Sequence, residues 1–177
     1  VEVPVMLSLV YVANHTRRRF NRAPMHRRLW FKLQRAVLGR RLNRVLLLGT
    51  SNSCRSQMAE ALVNALLGNW IAFSAGTTTP PANDVHPLAV AALAERGYDI
   101  SQAHPKHIGK LPADQQFDVI ITLFDEDAAS DVQNPSADKV LQINIEIDDP
   151  STSTDPIVFR ECLEEIENKI LTFLLKN

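Results

Sequence analysis

Cysteine is scarce in this chain of 177 residues, which contains only Cys54 and Cys162, far apart in the sequence. Two distant cysteines exclude a disulfide framework and a metal site built from closely spaced thiols. Disulfide-free chains are typical of reducing compartments, and we therefore expect a cytoplasmic protein.

Long apolar runs are also missing. The longest candidate covers residues 4–13, whereas a membrane-spanning helix needs about 18 or more apolar residues. Its positive charges follow the apolar run, which is the reverse of a secretory signal peptide. The sequence therefore predicts neither a membrane span nor a signal peptide. An apolar content of 45% is ample for a buried core.

Acidic residues are nearly absent from the first quarter of the chain. Residues 1–44 hold eleven Lys and Arg and one acid, Glu2, whereas residues 45–177 hold eight bases and nineteen acids. This division predicts a basic arm at 1–44 and a separate acidic domain at 45–177. The arm can neutralise the acidic body, bind another subunit or contact an anionic surface, and the sequence leaves these alternatives open.

The arm contains one predicted helix, over residues 25–42. Leu29, Leu33 and Val37 recur there at helical spacing, and the opposite face is cationic. Such an amphipathic helix is typical of docking or oligomerisation, and helices that lie on a membrane surface share the pattern.

From Asn43 onward the chain alternates between strand and helix patterns. Continuous or alternating apolar segments predict four strands, at 45–48, 70–77, 117–123 and 139–145. Helical patterns cover 57–67, 86–96 (with Gly97 as the stop) and the C-terminal segment, where Asp155 and Pro156 suit the helix start. The alternation predicts an α/β fold of three layers, with a four-stranded parallel sheet between helices.

A short polar loop, "GTSNSCRSQ" (residues 49–57), joins the first strand to the first helix. Ligands of open parallel sheets bind at the carboxyl ends of the strands. Small residues allow successive backbone N–H groups to converge on an anion, and an arginine adds paired charged donors. The pattern predicts an oxyanion cradle, with a solvated polar turn as the alternative. Its candidate ligands are Thr50, Ser51, Asn52, Ser53, Cys54, Arg55 and Ser56.

Several stretches of the body resemble one known family. They are "NSCRSQMAEAL" (52–62), "SAGT" (74–77), "HPLAVAALAERGYDIS" (86–101) with the following "HPK", and the Asp-Pro pair in "IDDPSTS". Together they resemble the low-molecular-weight protein tyrosine phosphatases and the arsenate reductases that share their fold, most closely the arsenate-reductase branch. The resemblance extends from Val45 to about Leu175 and implies a loop that binds phosphate, sulfate or arsenate.

The nucleophile of the family is missing. The family's loop reads Cys-x5-Arg, and counting back six positions from Arg55 gives Gly49. Cys54 matches the second loop cysteine, and Glu60, six positions later, excludes a shifted motif. We expect the Cys54 thiol on the rim of the loop, out of line with a bound anion. The resemblance therefore implies binding without the family's covalent chemistry.

Two further departures concern Ser51 and Phe124. Ser51 stands where the family usually has Gly, so we expect strain or an altered loop shape there. Phe124 stands where thioredoxin-coupled members have the first relay cysteine, and Cys162 lies in the last helix, where we expect it buried. We therefore expect no disulfide relay of the thioredoxin type.

The resemblance assigns roles to other residues. Asp149 matches the general acid, although a turn cap is an equal alternative, and Ser56 matches the hydroxyl that supports the nucleophile or an ordinary N-cap. Asn52 matches the residue that holds the loop's shape. Some arsenate reductases bind potassium at positions that correspond to Asn52, Glu60, Ser74 and Asp99, although a solvated helix acid also explains Glu60.

Our leading hypothesis is a phosphatase/arsenate-reductase-like domain that binds an oxyanion or a phosphorylated ligand and has lost the family's chemistry. It requires no cofactor, with potassium as an optional ion. One rival is an active phosphatase or arsenate reductase whose nucleophile is replaced in this variant. The other is a partner-binding module that acts through the basic helix at 25–42.

Overall fold

A four-stranded, fully parallel sheet forms the centre of the body, as seen in a computed structural model that describes residues 42–112, 114–124 and 140–176. The strand order is β2-β1-β3-β4. The strands are β1 (Asn43–Gly49), β2 (Trp70–Gly76), β3 (Val119–Thr122) and β4 (Leu141–Asn144). β1 is central, and its last five residues are buried because both faces of the strand are covered.

The helices are α1 (Arg55–Leu66), α2 (Pro87–Glu95), α3 (Pro156–Ile166) and α4 (Thr172–Lys176), with a π-helical segment (Glu167–Leu171) between the last two. The predicted signals act as expected at two ends. Asp155 accepts a hydrogen bond from the backbone N–H of Ile157 at the start of α3, and Gly97 adopts a φ of 82° after α2.

Alternation along β1 separates two apolar clusters. Val45 and Leu47 pack in the larger cluster with residues of α1, α2 and α3, whereas Leu46 and Leu48 lie in a smaller one on the other face. The Trp70 indole donates a 3.0 Å hydrogen bond to the carbonyl of Leu174, which ties the C-terminal helix to β2. The predicted α/β fold with a four-stranded parallel sheet is confirmed.

Three predicted strands, at 70–77, 117–123 and 139–145, are longer than the observed ones. β3 begins at Val119 rather than 117, although the Asp118 N–H donates to the carbonyl of Arg44 at 2.8 Å and the Asp118 carbonyl accepts from the N–H of Leu141 at 3.2 Å. The Asp118 carboxylate also accepts from the N–H of Arg44, at 2.7 Å. The basic arm and its predicted helix lie almost wholly outside the described residues, and the division at residue 44 stays a prediction. Among the helices that the structure describes, none is long and apolar enough to cross a membrane.

Candidate functional site

The segment from Gly49 to Arg55, here the 49–55 loop, turns its carbonyl groups away from the space it encloses. Four of these carbonyls accept hydrogen bonds of 2.9–3.2 Å from the adjoining segment, residues 77–86. The donors are Thr77 (to Gly49 and Thr50), Thr78 (to Thr50), Ala82 (to Ser51) and His86 (to Ser53). The loop is thus held from outside by its own carbonyl oxygens.

The N–H groups of the same loop face the opposite way. The C=O and the following N–H of a trans peptide point in opposite directions, so the amides of residues 50, 51, 52 and 54 are directed inward. No described residue accepts a hydrogen bond from the backbone N–H of residues 50–54. Unpaired inward amides before a helix start form a positively polarised concavity.

Gly76 allows β2 to approach the loop closely. A Cβ atom at this position would lie 2.9 Å from the carbonyl oxygen of Thr50 and 3.1 Å from the backbone nitrogen of Asn52. Such contacts are shorter than van der Waals distance and involve backbone, which cannot move aside. The glycine in "SAGT" is therefore needed for the loop's packing.

Asn52 holds the loop's shape, as predicted. It has a φ of 59° and is 1% exposed. Its Nδ2 donates to Ser56 Oγ and Ser74 Oγ, at 2.9 Å each, and its Oδ1 accepts from the Gln57 side chain at 3.0 Å and the Lys106 backbone at 2.9 Å. Asparagine tolerates the left-handed region better than most residues. These four hydrogen bonds offset the remaining free-energy cost of the left-handed backbone.

The expectation of backbone strain at Ser51 is wrong. Within the described chain, Asn52 is the only residue other than glycine with a positive φ. Ser51 therefore needs no glycine-like backbone, and its hydroxyl forms a 2.8 Å hydrogen bond with that of Ser53.

Arg55 is held in place by backbone carbonyls. Its Nη1 donates to the carbonyls of Leu123 at 2.8 Å and Ile147 at 2.9 Å, and its Nη2 donates to Asp149 Oδ2 at 2.7 Å. The side chain is only 9% exposed. Arginine has five N–H donors, and the described contacts use three of them. The Nε–H and one Nη2–H have no acceptor among the described residues and remain available to an anion.

Asp149 caps a turn, which is one of the two alternatives that the sequence left open, and its role as a general acid stays a prediction. Its Oδ1 accepts from the N–H of Ser151 at 3.0 Å and caps a short 3-10 turn (Pro150–Thr152), while its Oδ2 contacts Arg55. The carboxylate is 44% exposed, so it borders the mouth of the site and solvent.

Cys54 is not on the rim of the loop, and that expectation is wrong. It is the N-cap residue of α1, it is 4% exposed, and it belongs to the larger apolar cluster. Burial raises the pKa of its thiol to about 11. Cys162 is buried as expected, and burial raises its pKa to about 12. Both thiols stay protonated at neutral pH, which makes them poor nucleophiles.

The side chain of Ser56 lies beside the empty Cβ position of Gly49. A Cβ built on Gly49 would be 2.7 Å from Ser56 Oγ and 3.2 Å from Ser56 Cβ. Ser56 lies inside α1 and is 1% exposed, so it is not the N-cap of that helix. Gly49 and Ser56 are thus adjacent at the base of the loop.

The four potassium candidates are only partly brought together. A hydrogen-bonded chain runs from Asn52 through Ser74 to Glu60 Oε2, the last bond being 2.6 Å. Asp99 borders the same cavity as Glu60, of about 250 Å3, but its carboxylate accepts from the N–H of Ser101. The Lys106 ammonium lies 3.7 Å from Glu60 and supplies a cationic partner. Potassium binding stays a prediction.

Sequence reasoning missed the residues that support the loop from behind. Gln57 Nε2 also donates to the carbonyl of His104, and the N–H of Gly76 donates to the carbonyl of Lys106. The segment 104–107 therefore fastens both α1 and β2 to Asn52. The "HPK" motif marks this segment in the sequence, but a motif does not show that backbone atoms, rather than side chains, make the contacts.

Phe124, the predicted obstacle to a relay, is buried in the smaller apolar cluster.

Comparison with known proteins gives the same family. Residues 44–177 match the family described as low molecular weight phosphotyrosine protein phosphatase. The arsenate reductase of Halalkalibacterium halodurans is 36% identical over 135 residues, covering 73% of this chain and 93% of that protein. That of Brevibacillus brevis is 37% identical over 130 residues, covering 73% and 92%.

Solved structures agree. An arsenate reductase in the phosphate binding state has a TM-score of 0.63 and 26% identity, over 76% of this chain and 98% of its own. The arsenate reductase of Archaeoglobus fulgidus has a TM-score of 0.61 and 32% identity, over 73% and 97%. A low molecular weight protein tyrosine phosphatase from T. tengcongensis has a TM-score of 0.61 and 29% identity, over 76% and 99%. The chain therefore belongs to the low molecular weight phosphotyrosine protein phosphatase family.

Proposed function

We propose that this protein binds a phosphate-type oxyanion in the 49–55 loop without forming a covalent intermediate. The observation that carries the proposal is the orientation of the loop. Its carbonyls are bonded outward to residues 77–86, and its amides are left without acceptors in the described chain. Asn52 and Cys54 are buried, and buried N–H groups are almost always paired. An anion is the partner that inward amides at a helix start favour.

The edge of Arg55 completes this cradle. Its Nη1 atom is fixed by two backbone carbonyls, which orient the guanidinium, and the Nε/Nη2 edge can bind two oxygens of a tetrahedral anion. Asp149 balances the charge of Arg55 when no anion is bound. The capture of a relative in its phosphate binding state supports the same assignment here.

The missing thiol supports binding rather than turnover. Gly49 occupies the family's nucleophile position and offers no nucleophile. Cys54 cannot take over, because it is buried with a raised pKa and because a nucleophile must be in line with the atom that it attacks. We therefore propose a pseudoenzyme. Its two free thiols are consistent with the cytoplasm as the proposed compartment.

Thermal unfolding in increasing phosphate or sulfate tests the proposal. A ligand at one hundred times its Kd stabilises the folded state by about 2.7 kcal/mol, so the Tm should rise with anion concentration. Arg55→Ala should abolish the rise. Arg96→Ala is the matched control, because Arg96 pairs with Glu164 and Glu167 on the surface. No Tm rise at tens of millimolar anion, or an equal rise in Arg55→Ala, would contradict the proposal.

A further inference from the structure

The absence of a side chain on Gly49 makes room for the Ser56 side chain at the base of the 49–55 loop. Gly49 follows Val45 and Leu47 on the face of β1 that packs against α1, since alternate residues of a strand share a face. Its missing Cβ would therefore point at the first turn of α1. Apart from Ser56, the nearest described atom to that position, beyond the chain neighbours of Gly49, is the backbone nitrogen of Asn52, at 3.9 Å.

The Ser56 hydroxyl lies beside this position and has an unused hydrogen. Its oxygen accepts a 2.9 Å hydrogen bond from Asn52 Nδ2, and the residue is 1% exposed. Within the described chain, no atom accepts a hydrogen bond from the hydroxyl itself. Buried hydroxyl groups normally use their hydrogen, so this donor lacks a partner that the loop's ligand could supply.

We propose that the Ser56 hydroxyl, which lies where a side chain at position 49 would stand, donates directly to the bound tetrahedral oxyanion (phosphate, arsenate or sulfate). The inference rests on the proposed anion-binding function. Asn52 orients the Ser56 oxygen, so its hydrogen can turn toward the anion. Hydrogen bonds to ionised groups are the strong ones, and Ser56 thereby becomes a determinant of affinity.

Gly49 is part of the same arrangement. A side chain at position 49 would place its Cβ 2.7 Å from Ser56 Oγ, which forces the hydroxyl out of its present position. Glycine therefore keeps the donor beside the anion and adds no negative charge to the loop. On this view, the substitution that removes the nucleophile also converts the base of the loop into a neutral donor for anions.

Titration calorimetry with inorganic phosphate on the full chain provides the first test. Ser56→Ala should weaken binding about tenfold or more, the usual effect of losing a hydrogen bond to a charged group. Gly49→Ala should weaken it by a similar factor, although it leaves the hydroxyl in the protein. Because both act on one contact, the double variant should bind about as weakly as either single variant.

A crystal soaked in phosphate provides the second test, and it separates direct contact from indirect effects through Asn52. An anion oxygen should lie within about 3.0 Å of Ser56 Oγ. The inference is overturned if Oγ contacts only Asn52, or if Ser56→Ala binds phosphate as well as the unaltered chain. Arg55-dependent binding in those cases would leave the proposed function standing. If the unaltered chain does not bind phosphate, both fail. If Ser56→Ala does not fold, Gly49→Ala and the crystal decide.

Discussion

Arg55 Nη2 lies 2.7 Å from Asp149 Oδ2 and joins the start of α1 to a turn 94 residues later. Arg55 is 9% exposed and is held by two backbone carbonyls, whereas Asp149 is 44% exposed. The arginine is therefore the fixed member of the pair, and the more exposed carboxylate is the one that is freer to move.

Asp149→Asn should strengthen phosphate binding. The carboxylate repels an incoming anion and competes for Arg55, and a partly exposed ion pair contributes about 1 kcal/mol or less. We expect the Kd, measured by calorimetry, to fall by up to about fivefold. Asp155→Asn is the control, because Asp155 also caps a helix but has no described contact with Arg55. Weaker binding by Asp149→Asn alone would show that the carboxylate helps to hold the anion.

Gly49→Cys should produce measurable hydrolysis of aryl phosphates. The new Cβ displaces the Ser56 hydroxyl, and the displaced hydroxyl can donate to the new sulfur. The loop amides and Arg55 should lower the pKa of the new thiol. Gly49→Ala, with the same Cβ and no sulfur, should stay inactive. Asp149→Asn in the cysteine background should reduce the rate about a hundredfold or more if Asp149 is the general acid.

The same Gly49→Cys variant should not reduce arsenate with thioredoxin if Phe124 stands, as the resemblance implies, where thioredoxin-coupled members have their first relay cysteine. A coupled assay with thioredoxin and its reductase checks this. Thioredoxin-dependent turnover would show that another thiol completes the relay. Robust, Arg55-dependent phosphatase activity in the unaltered chain would contradict the pseudoenzyme proposal itself.

Both cysteines should resist thiol reagents in the folded protein. At pH 8 a thiol with a pKa of about 11 is ionised in only about one molecule in a thousand. Labelling with a chromogenic disulfide reagent should therefore detect two thiols only after unfolding. Fast labelling of Cys54 in the native state would show that the loop opens.

The free energy of unfolding should fall at alkaline pH, because burial raises the pKa of both thiols. The folded protein keeps both thiol protons up to about pH 11 to 12, whereas an unfolded thiol releases its proton near 9.0. Below pH 9 the two protonated thiols make their full contribution to the free energy of unfolding. This contribution is lost as the pH rises to about 11 to 12. Chemical denaturation between pH 7 and 10.5, with Cys54→Ser/Cys162→Ala as the comparison, measures the difference.

Asn52→Ala should destabilise the protein more than Asn52→Gly. Both substitutions remove the same four side-chain hydrogen bonds, but only alanine meets the cost of a left-handed backbone, about 1–2 kcal/mol. Urea unfolding of the two variants measures that difference. Equal stabilities would show that the backbone at position 52 relaxes out of its positive φ.

A chain that begins at Asn43 should fold and bind phosphate like the full chain, if the basic arm is a separate unit. Its Tm and phosphate Kd should match those of the full chain. An insoluble product or a much lower Tm would instead place the arm against the acidic body. Comparing full and shortened chains on anionic vesicles and by light scattering distinguishes a surface-binding arm from an oligomerisation arm.

Local sequence determined most of the fold. The apolar run before "GTSNSCRSQ", the caps at Asp155 and Gly97, and the spacing back from Arg55 to Gly49 each depend on residues a few positions apart. Near neighbours along the chain decide strand, helix and loop conformation. The sheet, the loop and the family could be predicted for that reason, and the absence of a cysteine at position 49 could be read directly.

Tertiary structure alone decided the chemistry inside the loop. It placed the positive φ at Asn52 rather than Ser51, buried Cys54, and fixed Arg55 against the carbonyls of Leu123 and Ile147. It also placed the Ser56 hydroxyl in the space beside Gly49. These contacts join segments far apart in the chain, through backbone atoms and hydroxyl groups that every sequence contains. Only packing decides which of those groups meet.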